Sequence, residues 1–469
     1  MYTKMKMSKY NLPVLDKDGN MIIYNFLTGP SSLIKIPKLY VERFSELFLS
    51  SAIIDRSSLT EHAELVTKML EFGILIASDI DENVLLDSMR YKQIFDSKLS
   101  LTVFSTGRCN FRCPYCFEAQ QSFLRQDMTE KAQDTLLKFV QRTIPSHNAL
   151  HISWFGGEPL VAPNVIRRLS EKLIRICDVR HLPYSADMTT NGYHLSAEMF
   201  DMLYELKVYE YMVTIDGVRE QHDKRRFTYS GEGSYDTIMG NLLRIRDDKK
   251  YKFAKIMIRI NMSRGFLEKI DEFLPFIASS FANDPRFKIM FVPVVKFSGS
   301  TFSDDFIYAN HNELFSRLNQ SEIYVNKLCS EDTKFTPILP QQKCPAALKN
   351  AYVITPDLKV YKCNAHYDFE SNNVGKISEN GELLLDEMLH KRWYLTSKFV
   401  NRSPELNNNC YNCFYAPCCY KLDAGCPISY LKETPEVMLC PIKDENQKKI
   451  IMETVIYAAQ VKPCYIATL

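Results

Sequence analysis

The chain is short of the features that place a protein in a membrane, in a secretory route or on nucleic acid. No run of about eighteen apolar residues occurs, so no membrane-spanning helix is expected. The opening stretch MYTKMKMSKYNLPVLDKDGN lacks the apolar centre of a secretory signal. Cys464 opens the last six residues rather than the last four, which excludes prenylation of the usual type. Net charge is nearly absent: 58 Lys and Arg stand against 56 Asp and Glu. Enzymes of nucleic acids usually carry a basic excess or stripe. The locally basic run His222-Asp223-Lys224-Arg225-Arg226 reads as a solvated loop. A cytoplasmic globular protein is expected, with no nucleic-acid or membrane partner. Its 469 residues are enough for two or three domains.

Cysteine, in contrast, is plentiful, with fourteen residues. Disulfides are not expected in the cytoplasm, and the cysteines cluster, so metal or cluster ligation is the better reading. The segment STGRCNFRCPYCF holds Cys109, Cys113 and Cys116 in a C-x3-C-x2-C spacing. It has no histidine and no fourth cysteine close by. A structural zinc site closes with four ligands. A four-iron cluster held by three thiolates leaves one iron open to a substrate or cofactor. The three cysteines lie in a long connection, 107–128, and loops of that length inside compact domains are usually functional.

Along the chain, residues 1–90 read as a small separate module. Strand-like runs at 11–15, 21–26 and 32–36 are followed by helical patterns near 38–49 and 59–72. Asp18-Gly19 makes a hairpin turn. Ser58-x-x-Glu61 predicts a capping box, with Leu59, Ala63, Val66 and Leu70 on one helix face. A further strand-like stretch, 73–77, completes a winged helix or a generic α+β cap. From 100 to 295, strand runs at 100–106, 151–155, 184–190, 208–215, 253–262 and 287–295 alternate with five helical patterns. Those patterns lie near 129–143, 164–177, 195–206, 234–246 and 266–281. This predicts an α/β fold with a parallel sheet, either open or curved into a partial barrel. Active sites of such barrels gather at the C-terminal strand ends. There lie the three cysteines, Gly156-Gly157-Glu158-Pro159, Thr189-Thr190-Asn191-Gly192, Thr214-Ile215-Asp216-Gly217, and Arg259 with Asn261. Beyond residue 300, turns, asparagines and cysteines dominate, which reads as a domain organised around metal centres.

Taken together, Cys109, Cys113, Cys116, Tyr115 and the GGEP element after the next strand resemble the radical S-adenosylmethionine (SAM) superfamily over roughly 98–300. The resemblance implies a partial (β/α)6 TIM-like barrel and a [4Fe–4S] cluster on the three cysteines. SAM would chelate the fourth iron, with Gly156, Gly157, Glu158 and Pro159 at its amino group. Thr214 and Asp216 would approach its ribose and methionine parts, with Asn191 and Arg259 as polar neighbours. A one-electron donor such as flavodoxin or ferredoxin is implied as well. Cys344, Cys363, Cys410-x2-Cys413-x5-Cys419, Cys426 and Cys440 resemble the SPASM domain, here 335–450, with two auxiliary [4Fe–4S] clusters. By that analogy Cys344, Cys363 and Cys426 serve one cluster, and Cys410, Cys413, Cys419 and Cys440 the other. Cys329 is an extra candidate for the first, and Cys418 competes with Cys419. Two departures stand out: Leu358 replaces a family glycine, and six residues rather than three separate Cys419 from Cys426. A zinc ribbon is the alternative, since C-x2-C pairs are common there.

Three functions fit these features. The first is an oxidoreductase that matures ribosomally made peptides, with the 1–90 module resembling a winged-helix element that takes a leader peptide as an added strand. Its product would be a cross-link: a thioether first, then a carbon–carbon or ether bond. The second is an anaerobic sulfatase maturase, but Asn364 stands where that family has its presumed Asp base. The third is a non-enzymatic iron–sulfur carrier, which would have no need of a SAM pocket.

Overall fold

A computed structural model describes residues 3–116, 118, 126–294, 311–329, 344–367, 369–395, 412–419, 445–461, 464–467 and 469. The chain divides into two compact units. One comprises Met1–Ile94, Lys334–Cys344 and Leu395–Leu469; the other comprises Phe95–Thr333 and Pro345–Tyr394.

In the first unit, β1 (Lys4–Met7) is followed by β2 (Asn11–Leu15), β3 (Met21–Asn25) and β4 (Ile34–Ile36). Then come β5 (Ile54–Asp55) and β6 (Leu75–Ala77). The expected hairpin forms between β2 and β3, and Gly19 at its turn takes φ +81°, a left-handed geometry glycine adopts freely. β1 was not legible in the sequence; it pairs antiparallel with both β5 and β6. The expected capping box does not form. The Asp55 carboxylate accepts the Ser57 N–H at 2.9 Å, so the chain enters through a 3-10 stretch, Arg56–His62. The α-helix starts only at Ala63 and ends at Glu71. Its buried face is Leu65, Val66 and Met69, while Ala63 is exposed. These side chains pack with Ile23, Ile34, Ile36, Phe44 and Phe48 into one apolar core.

In the second unit the alternating pattern becomes six parallel strands: β7 (Lys98–Thr106), β8 (Ala149–Gly156), β9 (Tyr184–Thr190), β10 (Val208–Thr214), β11 (Lys255–Met262) and β12 (Phe287–Pro293). The intervening helices are Glu130–Thr143, Pro163–Val179, Ala197–Glu205, Tyr235–Asp247 and, after a short turn, Ile270–Phe281. The sheet is open, as in a partial barrel, rather than closed. Residue alternation sets its two faces. Leu150, Ile152 and Trp154 on β8 are buried, while His151, Ser153 and Phe155 face the other side and are half-buried. An additional helix, Arg219–Arg225, lies where the sequence suggested a solvated loop.

The sheet extends past β7. β13 (Ala351–Ile354) joins β7 in parallel, and β14 (Lys359–Tyr361), β15 (Asn373–Ile377) and β16 (Leu383–Leu385) add on antiparallel. Contrary to the sequence reading, residues 351–394 do have an apolar interior: Tyr352, Val353, Ile354, Val360, Tyr361 and Trp393 are buried. Leu358, at the position of the missing family glycine, takes φ +63° in the turn between β13 and β14. The glycine is gone, but the left-handed backbone geometry it would favour remains. Returning to the first unit, β17 (Tyr465–Ile466) runs parallel to β4 at the edge of the β17-β4-β3-β2 sheet. Among the described residues no helix is long and apolar enough to cross a membrane.

Candidate active site

The C-terminal ends of the parallel strands carry the site. β7 ends in Thr106, whose hydroxyl donates to Asp127 at 2.6 Å. Arg108 grips the same carboxylate through Nε and Nη2 at 2.8 and 2.6 Å. The Gly107 N–H also reaches the Gln126 carbonyl. The long loop is thus tied at its base, and its first arm presents Cys109, Cys113 and Cys116, all half-buried. A second segment steadies that arm. Phe111 bridges to Thr228, the Arg112 N–H donates to the Phe227 carbonyl, and the Tyr229 N–H donates to the Asn110 carbonyl. The Arg112 guanidinium lies over the Tyr229 ring at 4.5 Å.

The GGEP element explains its own residues. At Gly156, φ +118°, a Cβ would lie 2.2 Å from the Thr106 carbonyl oxygen; at Gly157 it would lie 2.4 Å from that of Arg108. Both positions therefore demand glycine, because the strand end and the cysteine loop approach backbone to backbone. Glu158 is buried beneath them. Its carboxylate accepts from the Thr190 hydroxyl at 2.6 Å, the Asn191 N–H at 2.6 Å and the Leu160 N–H at 3.1 Å. Burial raises its pKa despite these donors. A carboxylate has about four acceptor positions, so this one chiefly clamps the ends of β8 and β9 and keeps little capacity for an outside ammonium. Pro159 begins the 3-10 turn Pro159–Val161, and its carbonyl accepts from Ser105 at 3.2 Å.

Thr214 is buried at the end of β10, and Asp216 just beyond it is turned inward. Asp216 accepts from the Tyr115 hydroxyl and, at 3.1 Å, from Asn261 Nδ2. Arg226 Nη1 donates to the Tyr115 oxygen at 2.8 Å. Arg259 Nε donates to Asn261 Oδ1 at 2.9 Å, and its terminal nitrogens make no hydrogen bond among the described residues. The Asp216 N–H donates to His222 Nδ1 at 3.1 Å, and His222 Nε2 meets the Ser234 hydroxyl at 3.0 Å. Burial, Arg226 and Arg225 together push the His222 pKa well down, so the ring is neutral. His222 and Arg226, read from sequence as parts of a solvated run, are buried structural members of the site. Only their fold context reveals this; the sequence signal was a charge run like many others. Asn110 was missed as well: its Oδ1 accepts from Asn191 Nδ2 at 2.8 Å.

The chain fits the group that the cysteine spacing implies. Buried Asn110 Nδ2 and Arg226 Nε have no hydrogen-bond partner among the described residues. Burial, then the charge of Glu158, pushes the Cys109 thiol up to about 12, and burial also raises Cys113. Thiols so placed become thiolates when a metal supplies positive charge. The Phe111 N–H already points at Cys109 Sγ from 3.3 Å. Glu118, two residues past Cys116, is raised to about 8 by burial and by Glu158.

The second cysteine set is spread out. Cys410, Cys426 and Cys440 lie outside the described residues. Cys363 follows β14, and its Sγ accepts the Ala365 N–H at 3.4 Å. Cys344, Cys413 and Cys419 are half-buried and belong to the other compact unit. Cys329 Sγ donates to the Val325 carbonyl at 3.4 Å. Cys418 is buried in an apolar core with Leu12, Tyr24 and Phe26, where burial pushes its thiol up to about 12. None of the described cysteines forms a disulfide.

Residues 103–273 match the family model of the radical SAM superfamily. The cysteine-type anaerobic sulfatase-maturating enzyme of Clostridium novyi is 23% identical over 340 residues, covering 67% of this chain and 84% of that protein. The GTP 3',8-cyclase of Microcystis aeruginosa is 29% identical over 156 residues, covering 32% of this chain. This chain spans 41% of that cyclase's length. Among solved structures, native anSMEcpe with bound AdoMet and Kp18Cys peptide shares the fold at a TM-score of 0.55 and 16% identity. That likeness covers 77% of this chain and 97% of the other.

Proposed function

We propose that this chain, whose residues 103–273 match the radical SAM superfamily model, is a radical SAM maturase of ribosomally made peptides. It would install an intrapeptide cross-link: a thioether first, a carbon–carbon or ether bond next. The observation that carries the reading is the rim itself, where three half-buried thiols stand beside a glycine cradle and a buried polar network. When bound, the [4Fe–4S] cluster supplies the electron that cleaves SAM to a 5'-deoxyadenosyl radical. Cys109, Cys113 and Cys116 would hold that cluster. Gly156 and Gly157 let the end of β8 lie against the cysteine loop, where they would border the SAM amino group, and Glu158 fixes the adjoining strand ends. Arg259, whose terminal nitrogens make no hydrogen bond among the described residues, would meet a carboxylate. Thr214 and Asn191 border the same rim.

A peptide substrate is supported by relatives that act on protein chains, such as the C. novyi maturating enzyme. The N-terminal unit, with its small sheets and packed helices, would bind the leader. Two auxiliary clusters, on Cys344, Cys363 and Cys426 and on Cys410, Cys413, Cys419 and Cys440, would accept the substrate electron. Cys418 serves its apolar core instead. A donor such as flavodoxin or ferredoxin would reduce the first cluster. The formylglycine-forming alternative draws on the same C. novyi relative. Asn364 weighs against it, because an amide cannot take the proton. Tandem mass spectrometry of a cognate peptide decides the matter. Each cross-link lowers the peptide mass by two hydrogens and resists dithiothreitol. Unchanged mass, or a formylglycine residue, sinks the cross-linking reading.

A further inference from the structure

One edge of the β17-β4-β3-β2 sheet is filled by the chain's own residues from far along the sequence. Tyr465 pairs with Ile34 and Ile466 with Lys35, both in parallel. The Tyr465 N–H donates to the Leu33 carbonyl at 3.1 Å, and the Ala467 N–H to that of Lys35 at 2.9 Å. Side chains alternate along this segment, as on any strand. Tyr465, Ala467 and Leu469 pack toward the core formed by Ile34, Ile36, Phe44 and Leu65. Ala467 is fully buried, whereas Ile466 is 60% exposed.

The strand pairing is short: two paired positions, against three between β3 and β4. Outside the strand, the Tyr465 hydroxyl donates to Glu64 at 3.3 Å. β4 has its own pairing with β3, and Ile34 and Ile36 are buried. A short pairing at a sheet edge opens locally at lower cost than a sheet interior. The groove also has a readable selectivity. It takes an extended chain with an apolar residue, a small residue and an apolar residue at alternate positions, because the middle side chain sits where nothing is exposed.

We propose that the outer edge of β4 is an exchangeable strand site. Segment 464–469 holds it at rest, and an extended peptide of pattern apolar–x–small–x–apolar displaces that segment and pairs with β4. The leader of the precursor is the occupant that the site takes in turnover, a point that rests on the maturase reading above. The segment follows the helix Glu445–Val461 after two residues, so it acts as a tethered competitor. A segment that binds in trans at about 0.1 mM, held at an effective concentration of about 1 mM, weakens a competing peptide about tenfold.

Hydrogen exchange on the full chain tests this directly. Two probes are used: the synthetic peptide Ser-Tyr-Ile-Ala-Thr-Leu and the full-length precursor. Each should strip protection from the Tyr465 and Ala467 amides. A chain ending at Val461 should bind the synthetic peptide about tenfold more tightly than the full chain does. Replacing the alanine of that peptide with tryptophan should abolish binding. If the shortened chain does not fold, exchange on the full chain still decides. The proposal is overturned if millimolar synthetic peptide leaves Tyr465 and Ala467 protected. It is also overturned if the precursor binds while both stay protected. A precursor that binds neither form, while the synthetic peptide exchanges, sinks the leader reading and upholds the strand site.

Discussion

The two ends of the parallel sheet differ sharply. At the C-terminal ends, polar side chains are buried, glycines bring backbones into contact, and Asn110, Arg226 and Ser263 keep buried polar atoms without partners among the described residues. At the N-terminal ends, charges are matched. Asp284 is held by Arg286 at 2.7 Å and Lys249 at 3.2 Å; Glu210 meets Lys255 at 2.7 Å; Asp201 takes both Tyr251 and Lys250 at 2.7 Å. Among the described residues the C-terminal end holds several such atoms, on Asn110, Gln221, Arg226 and Ser263, whereas at the N-terminal end the Tyr184 hydroxyl at the start of β9 is one beside these matched pairs. Buried polar atoms without partners are costly, and a ligand at the C-terminal rim would offset that cost.

The largest expected effect breaks the rim outright. Replacing Cys109, Cys113 and Cys116 with Ala should remove on the order of four irons per chain and abolish formation of 5'-deoxyadenosine. Iron analysis and chromatography of anaerobically prepared protein check both. Wild-type turnover in the triple variant would end the assignment.

Glu158→Ala should affect stability and cofactor binding together. It leaves the Thr190 hydroxyl and the Asn191 and Leu160 N–H groups without their acceptor. A loss of about 3 kcal/mol is expected, with SAM affinity down at least about tenfold. Thermal melting without SAM, then titration calorimetry, separates the two effects. An unchanged melting curve would show that the carboxylate is not the clamp described here.

At the opposite end, Asp284→Asn should change stability and leave SAM cleavage alone. Burial works against the charged form of Asp284, yet hydrogen bonds from Arg286 and Lys249 bring its pKa down to about 2. The folded-state pKa is depressed, so its stabilisation is present above the ordinary carboxylate pKa and is lost as pH falls from about 4 toward 2. The variant should be less stable by about 2 kcal/mol at pH 7, with the gap closing toward pH 2. Parallel denaturant titrations at several pH values measure it. A pH-independent gap would mean that packing, not charge, is responsible.

The smallest effect lies in the turn between β13 and β14. Leu358 has φ +63°, which costs a branched residue more than it costs glycine. Leu358→Gly should stabilise the chain by about 1 kcal/mol, with denaturation midpoints as the readout. A loss of stability instead would show that the leucine side chain contributes more than its backbone strain costs.

Much of this was legible because the signals are short in range. Strand-like runs placed the six parallel strands to within a few residues, and the C-x3-C-x2-C spacing put three candidate thiols within eight positions. The glycines of GGEP were readable too, since close backbone approach leaves no other residue possible. The failures have one cause. The capping box at Ser58 lost to Asp55, whose carboxylate reached the Ser57 N–H first. The run 222–226 looked solvated because charge alone does not reveal burial. His222 and Arg226 acquire their roles from Asp216, Tyr115 and Ser234, which the fold brings to them.

The sequence by itself determined the order of the β/α units, the rim on which chemistry-bearing residues fall and the three-thiol loop, since each depends on spacing along a strand or within one turn. Only the tertiary structure decided which polar residues are buried partners, how the Asp216 network is wired, and that Cys418 belongs to an apolar core. It alone paired Tyr465 and Ile466 with β4, across more than four hundred residues. Contacts between positions far apart in the chain depend on how complete surfaces pack against each other, and no local pattern of residues carries that information.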